Sequence, residues 1–561
     1  MNFEFKKIAF GDNFLRFSVV RKVFYAFLYH KKLYSRLPNL LIRNATHVIL
    51  FIAVIWFIFV VCIPEINIPE IGVDEALVGN VTLQLINNSP EIFFGIVFLG
   101  RHLPIMTTPH HGAVESYLLF PFLFFGGATL EALRSGPIFY GVVIIILTYY
   151  FCRKFFHPIA GLISVVLLVT NSFFLCHIKL GGIFGFSLPI FTLSSLLFFL
   201  KWRDTRKNIY FGLGMFFLAL GFQVKGWFIW FIISAFISGW FLYARRNKIK
   251  IKTILIGLLS MFLGLIPVLY YNLKTSFYNK FVSQNAIITT HCGINNLEFI
   301  RNLHIRIEQL NDILRGPAEM PYGLRMFPIF FFRISLCWLL YLIFVKKRTA
   351  LSKQRISFIL LLFSLTLIMS AYTFTSLADG HLFILFPYIQ ILMGIAVFEA
   401  VKSEKHKLST VIAIPLLFLV IIVHLGRCAE IYHNLKIEKV QIEKCTMRLL
   451  ARWLLENKIY NPTCFFEADH PLTFYSNFKI RPHYFPEGDL WSSIKEATIN
   501  SPTLADDVFI FTWNDYNESV DKSIKHKIFK SIAEEFNKET VIRKRFLFSN
   551  GNTRMIVYSL K

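Results

Sequence analysis

Residues 47–80 read HVILFIAVIWFIFVVC followed directly by IPEINIPEIGVDEALVGN. With its flanking residues the first part forms a predicted membrane span at 46–64, because about 17–25 apolar residues cross a bilayer. The second part places four carboxylates immediately after that span, those of Glu65, Glu70, Asp74 and Glu75. The role of these carboxylates depends on the side of the membrane on which they lie. It also depends on the other polar groups that lie on that side.

Composition sets the broad class of the protein. The 561-residue chain is 55% hydrophobic and contains 63 Phe, and its mean hydropathy is +0.55. These values exclude an ordinary soluble domain. Apolar runs long enough to cross a bilayer recur over the first three quarters of the chain. The sequence therefore predicts a polytopic α-helical membrane protein.

The positive charge follows a topological pattern. There are 59 Lys and Arg against 34 Asp and Glu. The basic residues cluster between apolar runs, as they do in the cytoplasmic loops of membrane proteins, so the charge needs no nucleic-acid partner and none is predicted. The basic stretches are the N-terminal 45 residues, CRKFFHP, KWRDTRK, ARRNKIKIK, KKRTALSKQR and VKSEKHK.

Placing every basic stretch in the cytoplasm fixes a topology. Segment 1–45 becomes a cytoplasmic amphipathic helix on the inner leaflet, with a flexible basic tail as the alternative, and its lack of a cleavable signal fits a bacterial inner membrane. The transmembrane domain is 46–425, and 426–561 lies in the periplasm or outside the cell. About eleven spans are predicted, at 46–64, 137–152, 158–176, 183–200, 208–224, 226–243, 253–271, 327–345, 355–375, 382–400 and 408–425.

Two long outer loops follow from this topology, at 65–136 and 272–326. The first loop has Arg101 and Arg134 as its basic residues against seven acids. Its apolar run 115–127 is too short for a span, so a juxtamembrane helix is expected there.

The last part of the chain, 426–561, predicts a small α/β domain. VQIEKCTMRLLARWLLENK has helical spacing of apolar residues. DDVFIFTW and TRMIVYSL have the composition of strands, and the SNGN that precedes the second suits a hairpin turn.

The acid pair Asp74–Glu75 opens a predicted helix, because apolar residues recur after it at helical intervals. One interpretation is purely structural, since Asp is a common N-cap and acids in the first turn favour the helix dipole. The other is chemical, since polar groups near membrane depth are costly and tend to mark function.

Further polar residues are predicted on the same side of the membrane. An acid pair, histidines and cations at one surface suit an anionic lipid-phosphate ligand and a general base. Taken one at a time, each is equally explained as a solvated loop residue. The candidates are Arg134, His110, His111, Glu115, His177, Lys179, Lys225, Asp379 and His381.

The order of these elements resembles the GT-C fold glycosyltransferases that use polyprenol-phosphate sugars. Within that superfamily it is most similar to the protein O-mannosyltransferases, the lipid A aminoarabinose transferases and the lipopolysaccharide-core galacturonosyl transferases. The resemblance covers about 46–400. It rests on GVDEALVGN after the first span, TTPHHGAVESYLLFPFLFFGG, EALRSGPIFYGVV, FFLALGFQVKGW and DGHLFILFPYIQILMGIAVF. The chain departs from its relatives in having PHHG where they often carry Lys-Pro-Pro.

The resemblance implies an inverting transfer of a hexose or pentose from a polyprenyl-phosphate donor to a lipid, glycan or protein acceptor. Asp74 is then the expected general base, and Glu75 orients the acceptor or helps to hold a divalent cation such as Mg²⁺, Mn²⁺ or Zn²⁺. No spacing specifies a ligand set, so the metal is undetermined. Lys225, Lys179, His177 and Arg134 are the donor-phosphate candidates. The acceptor or metal candidates are His110, His111, Glu115, Asp379 and His381.

Three other functions remain open. A multispan glycan polymerase or ligase would use similar donors and would carry a late outer loop rich in Arg, as FIRNLHIRIEQLNDILRGP partly does. A transporter of lipid-linked glycans would show charges at mid-span and repeat symmetry, and neither pattern is evident in the sequence. The third is a non-catalytic membrane scaffold.

Overall fold

A computed structural model gives the structure of most of the chain. Nearly all of the predicted N-terminal amphipathic segment, His110 and part of the late outer loop lie outside the described residues. The structure describes 39–90, 94–109, 111–179, 185–242, 249–275, 295–345, 350–372, 379–402, 407–442, 446–460, 462–465, 469–480, 483–485, 508–512, 540–547 and 553–560.

The described chain is mostly helical. In chain order the helices are α1 (Asn39–Trp56), α2 (Val73–Ile86), α3 (Val114–Gly126), α4 (Leu130–Phe155), α5 (Pro158–Thr170), α6 (Ser172–Lys179), α7 (Leu188–Thr205), α8 (Asn208–Val224), α9 (Ile229–Leu242), α10 (Ile251–Lys274), α11 (Phe299–Leu314), α12 (Tyr322–Phe344), α13 (Ala350–Ser370), α14 (Tyr388–Lys402), α15 (Lys407–Ile442), α16 (Met447–Glu456) and α17 (Asp469–Tyr475). The strands are β1 (Phe94–Phe98), β2 (Arg101–Thr108), β3 (His111–Gly112), β4 (Thr463–Phe465), β5 (His483–Phe485), β6 (Val508–Thr512), β7 (Thr540–Leu547) and β8 (Thr553–Leu560).

Each predicted span coincides with helical structure. Among the described residues, five helices are long and apolar enough to cross a membrane alone, namely α4, α10, α12, most of α13 and most of α15. The pair α5–α6, bent by 64°, forms a sixth if it is counted as one span. The polytopic membrane fold is therefore confirmed, while the number of eleven spans stays a prediction.

Apolar side chains on the outside of the bundle show which surface faces lipid. On α10, Leu255, Leu258, Leu259 and Phe262 are each more than half exposed. A surface of this kind is costly in water but matches the hydrocarbon of a bilayer. By contrast α14 is buried on nearly all sides, which makes it the central helix of the bundle.

The first outer loop folds into a compact layer on one end of the bundle. Helix α2 begins at Val73, strands β1, β2 and β3 form a small antiparallel sheet, and α3 is the predicted juxtamembrane helix. The helix at 73–86 is confirmed, although it is buried on most sides rather than amphipathic. The small sheet was not predicted, because its strands carry no regular alternation of apolar and polar residues.

The C-terminal region forms the predicted α/β unit. Its sheet has the order β5-β4-β6-β8-β7, with β4 parallel to β5 and β6, and β8 antiparallel to β6 and β7. The predicted strands β6 and β8 and the hairpin that contains β8 are confirmed. Within the helix predicted at 440–458, α16 begins at Met447, after the extended N-cap residue Thr446.

This domain packs directly on the first outer loop. The Asn80 side chain donates to the carbonyl of His470 at 3.1 Å, and the Glu70 carboxylate accepts from the backbone N–H of Met447. A Cβ on Gly79 would lie 2.8 Å from the Phe474 ring, so this close approach of α2 to α17 requires glycine. The start of α2 is thus enclosed between the bundle and the C-terminal domain.

Candidate active site

The acid pair lies in the first turn of α2, and its two members have different surroundings. Gly72 is the N-cap residue, so Asp74 stands two positions inside the helix and does not cap it. Glu75 accepts from the backbone N–H of Gly72 at 3.4 Å and is 2% exposed, whereas Asp74 is exposed. One turn of helix therefore directs one carboxylate into the protein and the other out of it.

Glu75 is held by a buried ion pair with Arg134 of α4. Arg134 Nε donates to Glu75 Oε1 at 2.8 Å, and a second guanidinium nitrogen donates to Oε2 at 3.0 Å. The same guanidinium donates to the carbonyl of Ile66 at 2.7 Å and to that of Glu70 at 3.4 Å. Arg134 is 0% exposed. These contacts fix the segment that leads into α2, and they occupy the guanidinium that the sequence suggested for the donor phosphate.

Lys225 and His470 lie close enough to Asp74 for their charges to act on its carboxyl, and the space that these three residues border is called the recess below. Partial desolvation by neighbouring protein raises the pKa of the Asp74 carboxyl, and the positive charge of Lys225 and that of His470 act in the opposite direction. A carboxylate that is accessible and has a raised pKa can accept a proton from a bound substrate. Of the two acids, Asp74 is the one whose carboxylate is accessible as well as raised in pKa.

Lys225 follows directly on α8 and is 9% exposed. Burial lowers the pKa of its ammonium group to about 8, while the charges of Asp74 and Glu115 support the charged form. The Nζ atom lies 5.9 Å from the centre of the Trp227 ring. Burial beside two acids makes Lys225 a compact, partly desolvated cation at the edge of the recess.

Glu115, in the first turn of α3, anchors the chain that enters α7. Its carboxylate accepts from the backbone N–H of Gly185 at 3.1 Å, from the N–H of Ser187 at 3.2 Å and from the Ser187 hydroxyl at 2.8 Å. Burial raises the pKa of this carboxyl, and these hydrogen bonds oppose the shift. The contacts give Glu115 a scaffolding role at the edge of the recess.

Two candidate histidines lie among aromatic rings close to Lys225. His177 stacks on Phe383 with ring centres 4.5 Å apart and is close enough to Lys225 to interact with its charge. His381 lies 5.1 Å from the ring of Trp227. The late segment that contains His381 thus reaches the same recess as Lys225.

The other predicted residues lie elsewhere. Lys179 Nζ donates to the carbonyl of Pro64 at 2.5 Å, which ties the end of α6 to the end of the first span. The buried His111 ring lies 2.9 Å from the Thr108 hydroxyl, within the small sheet. Asp379 begins a short 3-10 helix, Asp379–Leu385.

The residue that sequence reasoning missed is His470. It lies on α17 of the C-terminal domain, and its charge interacts with that of Asp74. Nearly four hundred residues separate the two along the chain, and no motif marks the histidine. The docking of α17 on α2 alone brings them together, so only the tertiary structure reveals it.

A divalent cation was suggested for this region. Among the described residues, no group of three or more His, Cys, Asp and Glu side chains could hold a metal ion. Both Glu75 oxygens already accept hydrogen bonds from Arg134, so that carboxylate is not placed as a free ligand.

A family model matches the middle of this chain. Residues 110–271 match the family described as dolichyl-phosphate-mannose-protein mannosyltransferase. The match includes Glu115, Arg134 and Lys225 and begins after Asp74. It covers less than half of the chain. No functionally curated protein matches the sequence significantly.

Solved structures of low sequence identity share the architecture. ArnT from Cupriavidus metallidurans bound to undecaprenyl phosphate has a TM-score of 0.57 at 10% identity, over 92% of this chain and 97% of that chain. The same protein in the apo state has a TM-score of 0.58 at 10% identity, over 92% and 98%. The Archaeoglobus fulgidus oligosaccharyltransferase tethered to an acceptor peptide has a TM-score of 0.53 at 11% identity, over 83% and 69%. The chain therefore has the fold of the GT-C membrane glycosyltransferases, which confirms the resemblance.

Proposed function

We propose that this protein is a membrane glycosyltransferase that transfers a sugar, with inversion, from a polyprenyl-phosphate donor to a lipid, glycan or protein of the cell envelope. The observation that carries the proposal is the accessible carboxylate of Asp74 beside the buried ammonium of Lys225, at the first outer loop of a GT-C fold. The matched family is named for a lipid-phosphate sugar donor, and ArnT was crystallised with undecaprenyl phosphate. Both support the choice of donor.

Asp74 and Lys225 have different roles in the proposed transfer reaction. Asp74 takes the proton of the acceptor hydroxyl as that oxygen attacks C1 of the sugar, and the C1–O bond to the lipid phosphate breaks. Lys225 compensates the charge that develops on the departing phosphate, a stabilisation that is strong in a partly desolvated site. Glu75 and Arg134 hold α2 in position. His470 of the C-terminal domain, whose charge acts on Asp74, contacts the acceptor in this proposal.

The late outer loop favours a transferase over a ligase with an arginine-rich loop. On α11, Arg301 pairs with Glu298 at 2.6 Å, and Arg315 pairs with Asp312 at 2.9 Å. Arg306 donates to the carbonyl of Ser370 at 3.1 Å and lies over the Trp230 ring. Arg301 and Arg315 therefore form ion pairs at the two ends of α11, and Arg306 joins α11 to α13 and α9.

The proposal is tested by mass spectrometry of envelope glycolipids and glycoproteins from cells with and without the protein. Loss of one sugar from one acceptor class, restored by the wild-type chain and not by Asp74→Asn, is the expected result. An unchanged envelope together with accumulation of a lipid-linked glycan would instead indicate a transporter.

Orientation is part of the same proposal, with the first outer loop and the C-terminal domain placed outside the cytoplasm. A cysteine at Gly72, which is exposed at the start of α2, should react with an impermeant reagent added from outside. A cysteine at the exposed Lys207, between α7 and α8, should react only after permeabilisation. Labelling with the reverse pattern would invert the topology.

A further inference from the structure

A cavity lies at the end of the bundle opposite the candidate active site. Its volume is about 180 Å³, and it is enclosed by the ends of α4, α7, α8, α9 and α13. Its walls are largely aromatic and aliphatic, with Phe155, Phe199, Phe211 and Phe358 among them, and Arg203 and Arg206 line it as well. An apolar chamber with guanidinium groups at the membrane surface has the chemistry of an amphiphile site.

The basic side chains here are held by aromatic rings. The guanidinium carbon of Arg203 lies 5.8 Å from the Phe155 ring centre, and that of Arg206 lies 5.7 Å from the Trp202 ring centre. Arg206 has φ of 56°, a left-handed conformation in which glycine is the usual residue after a helix. Arginine at such a position carries a backbone cost, which a role for its side chain would explain.

The charge around the cavity is positive on balance. Among the described residues beside the cavity the acid is Asp204, which pairs with Lys154 at 3.1 Å and with Arg203 at 3.0 Å. Arg206 and Lys207 follow on the exposed turn after α7. One carboxylate therefore faces four cations, and an anionic group at this surface would be stabilised.

One side of the cavity is formed by residues that face lipid. Phe236 and Trp240 of α9 line it and are 45% and 65% exposed. Between them on the same helix lies Gly239, where an added Cβ would meet no atom within 4 Å. The cavity is thus bordered by the surface that meets the bilayer.

This cavity is separate from the donor site. Helix α7 starts beside the Glu115 anchor at Ser187 and ends at the cavity, 18 residues later. At 1.5 Å per residue the two ends lie about 27 Å apart. A phosphate held at Lys225 cannot also contact Arg206.

We propose that this cavity binds an anionic phospholipid of the leaflet opposite the donor site. A segment of one acyl chain occupies the aromatic chamber, the rest of that chain lies in the adjoining bilayer, and the phosphate lies against Arg203 and Arg206. Basic pockets between transmembrane helices are known to bind anionic headgroups in this manner. The inference stands on the cavity and its cations, and it does not depend on the transfer reaction.

The test uses the full-length protein in detergent, with native mass spectrometry to count bound phosphatidylglycerol. Replacing both charges, Arg203→Gln with Arg206→Gln, should weaken retention by about thirtyfold, given the contribution of each cation near a membrane surface. Gly239→Leu should also reduce retention by filling the cavity, and it leaves every charge in place. Lys402→Gln is the matched control, because Lys402 lies over the Phe398 ring and does not line the cavity.

Three results would overturn the proposal. Equal retention of phosphatidylcholine and phosphatidylglycerol would remove the role of the two arginines. Displacement of the lipid by millimolar inorganic phosphate would show that the site holds a free anion rather than a lipid. Unchanged retention in Gly239→Leu, with thermal melting confirming a folded protein, would place the lipid elsewhere on the surface.

Discussion

The two ends of the helix bundle contain ion pairs of similar length in opposite surroundings. At the candidate active site, Glu75 and Arg134 are 2.8 Å apart and their side chains are each 1% exposed. At the other end, Lys154 and Asp204 are 3.1 Å apart, with side chains 39% and 40% exposed. Arg134 contacts both oxygens of Glu75 and Lys154 contacts one oxygen of Asp204, but the largest difference between the two pairs is their contact with water.

This difference predicts which charges the fold depends on. Removing one partner of a buried pair leaves an uncompensated charge in a poorly solvated environment, which is costly. An exposed pair exchanges its partner for water at little cost. Asp74 stands between these extremes, since it is accessible but partly desolvated, and this is the environment of a group that reacts.

The largest effect is expected at Asp74. Asp74→Asn removes the proton acceptor and leaves the cap at Gly72 untouched, so turnover should fall by about 10²–10⁴-fold. Because desolvation raises the pKa of this carboxyl, its charge opposes folding at neutral pH, and the variant should melt at an equal or higher temperature. Transfer from a polyprenyl-phosphate sugar in liposomes measures turnover, and thermal melting measures stability. Full activity in this variant would end the assignment of Asp74 as the base.

The next largest effect is expected on the stability of the protein when the buried ion pair between Glu75 and Arg134 is broken. Arg134→Met leaves Glu75 charged and unpaired, which should cost about 3–5 kcal/mol of unfolding free energy. The double variant Arg134→Met with Glu75→Leu should regain most of that loss, because an apolar pair of similar volume needs no charge compensation. Melting in detergent measures this. Equal melting temperatures for the wild type and Arg134→Met would contradict the assigned role.

The sequence allowed the bundle to be predicted but not the different surroundings of the two acids. Long apolar runs and basic clusters located helices at every predicted span, since both signals are local. The resemblance suggested Asp74 as the base, but the sequence did not predict that Glu75 is buried, because that burial depends on Arg134, 59 residues away. His470 was missed for the same reason, as its position depends on how the C-terminal domain docks. Long-range contacts fix the site, and a single sequence does not display them.

A smaller effect is expected on donor binding. Lys225→Ala should weaken affinity for a polyprenyl-phosphate sugar by roughly tenfold or more, because a charge-assisted contact contributes about 1.5–3 kcal/mol. Lys179→Ala is the matched control, since Lys179 is engaged by the carbonyl of Pro64. Binding of labelled donor in detergent compares the two variants. A larger loss in Lys179→Ala would move the phosphate site toward the first span.

The pH dependence follows from the same two groups. Protonation of Asp74 removes the base, so kcat/KM should fall on the acid side, at a pH above the usual range for an aspartate because desolvation raises its pKa. Deprotonation of Lys225, whose pKa is lowered to about 8, should make kcat/KM fall again above that pH. Lys225→Arg keeps the charge at every accessible pH, so the alkaline decline should disappear in that variant. A decline that persists would arise from another group.

The smallest loss of stability is expected at the exposed pair of Lys154 and Asp204. This prediction most directly tests the contrast between the exposed and the buried ion pair. Asp204→Asn removes the partner of Lys154 and of Arg203, yet water replaces the lost contacts, so the loss of stability should stay below about 1 kcal/mol. High salt should diminish even this difference, because exposed charges are screened, whereas the loss in Arg134→Met should persist in salt. Melting of both variants at low and high ionic strength measures the contrast. A large, salt-insensitive loss in Asp204→Asn would mean that this end of the bundle depends on its charges as much as the other does, and that exposure does not separate the two pairs.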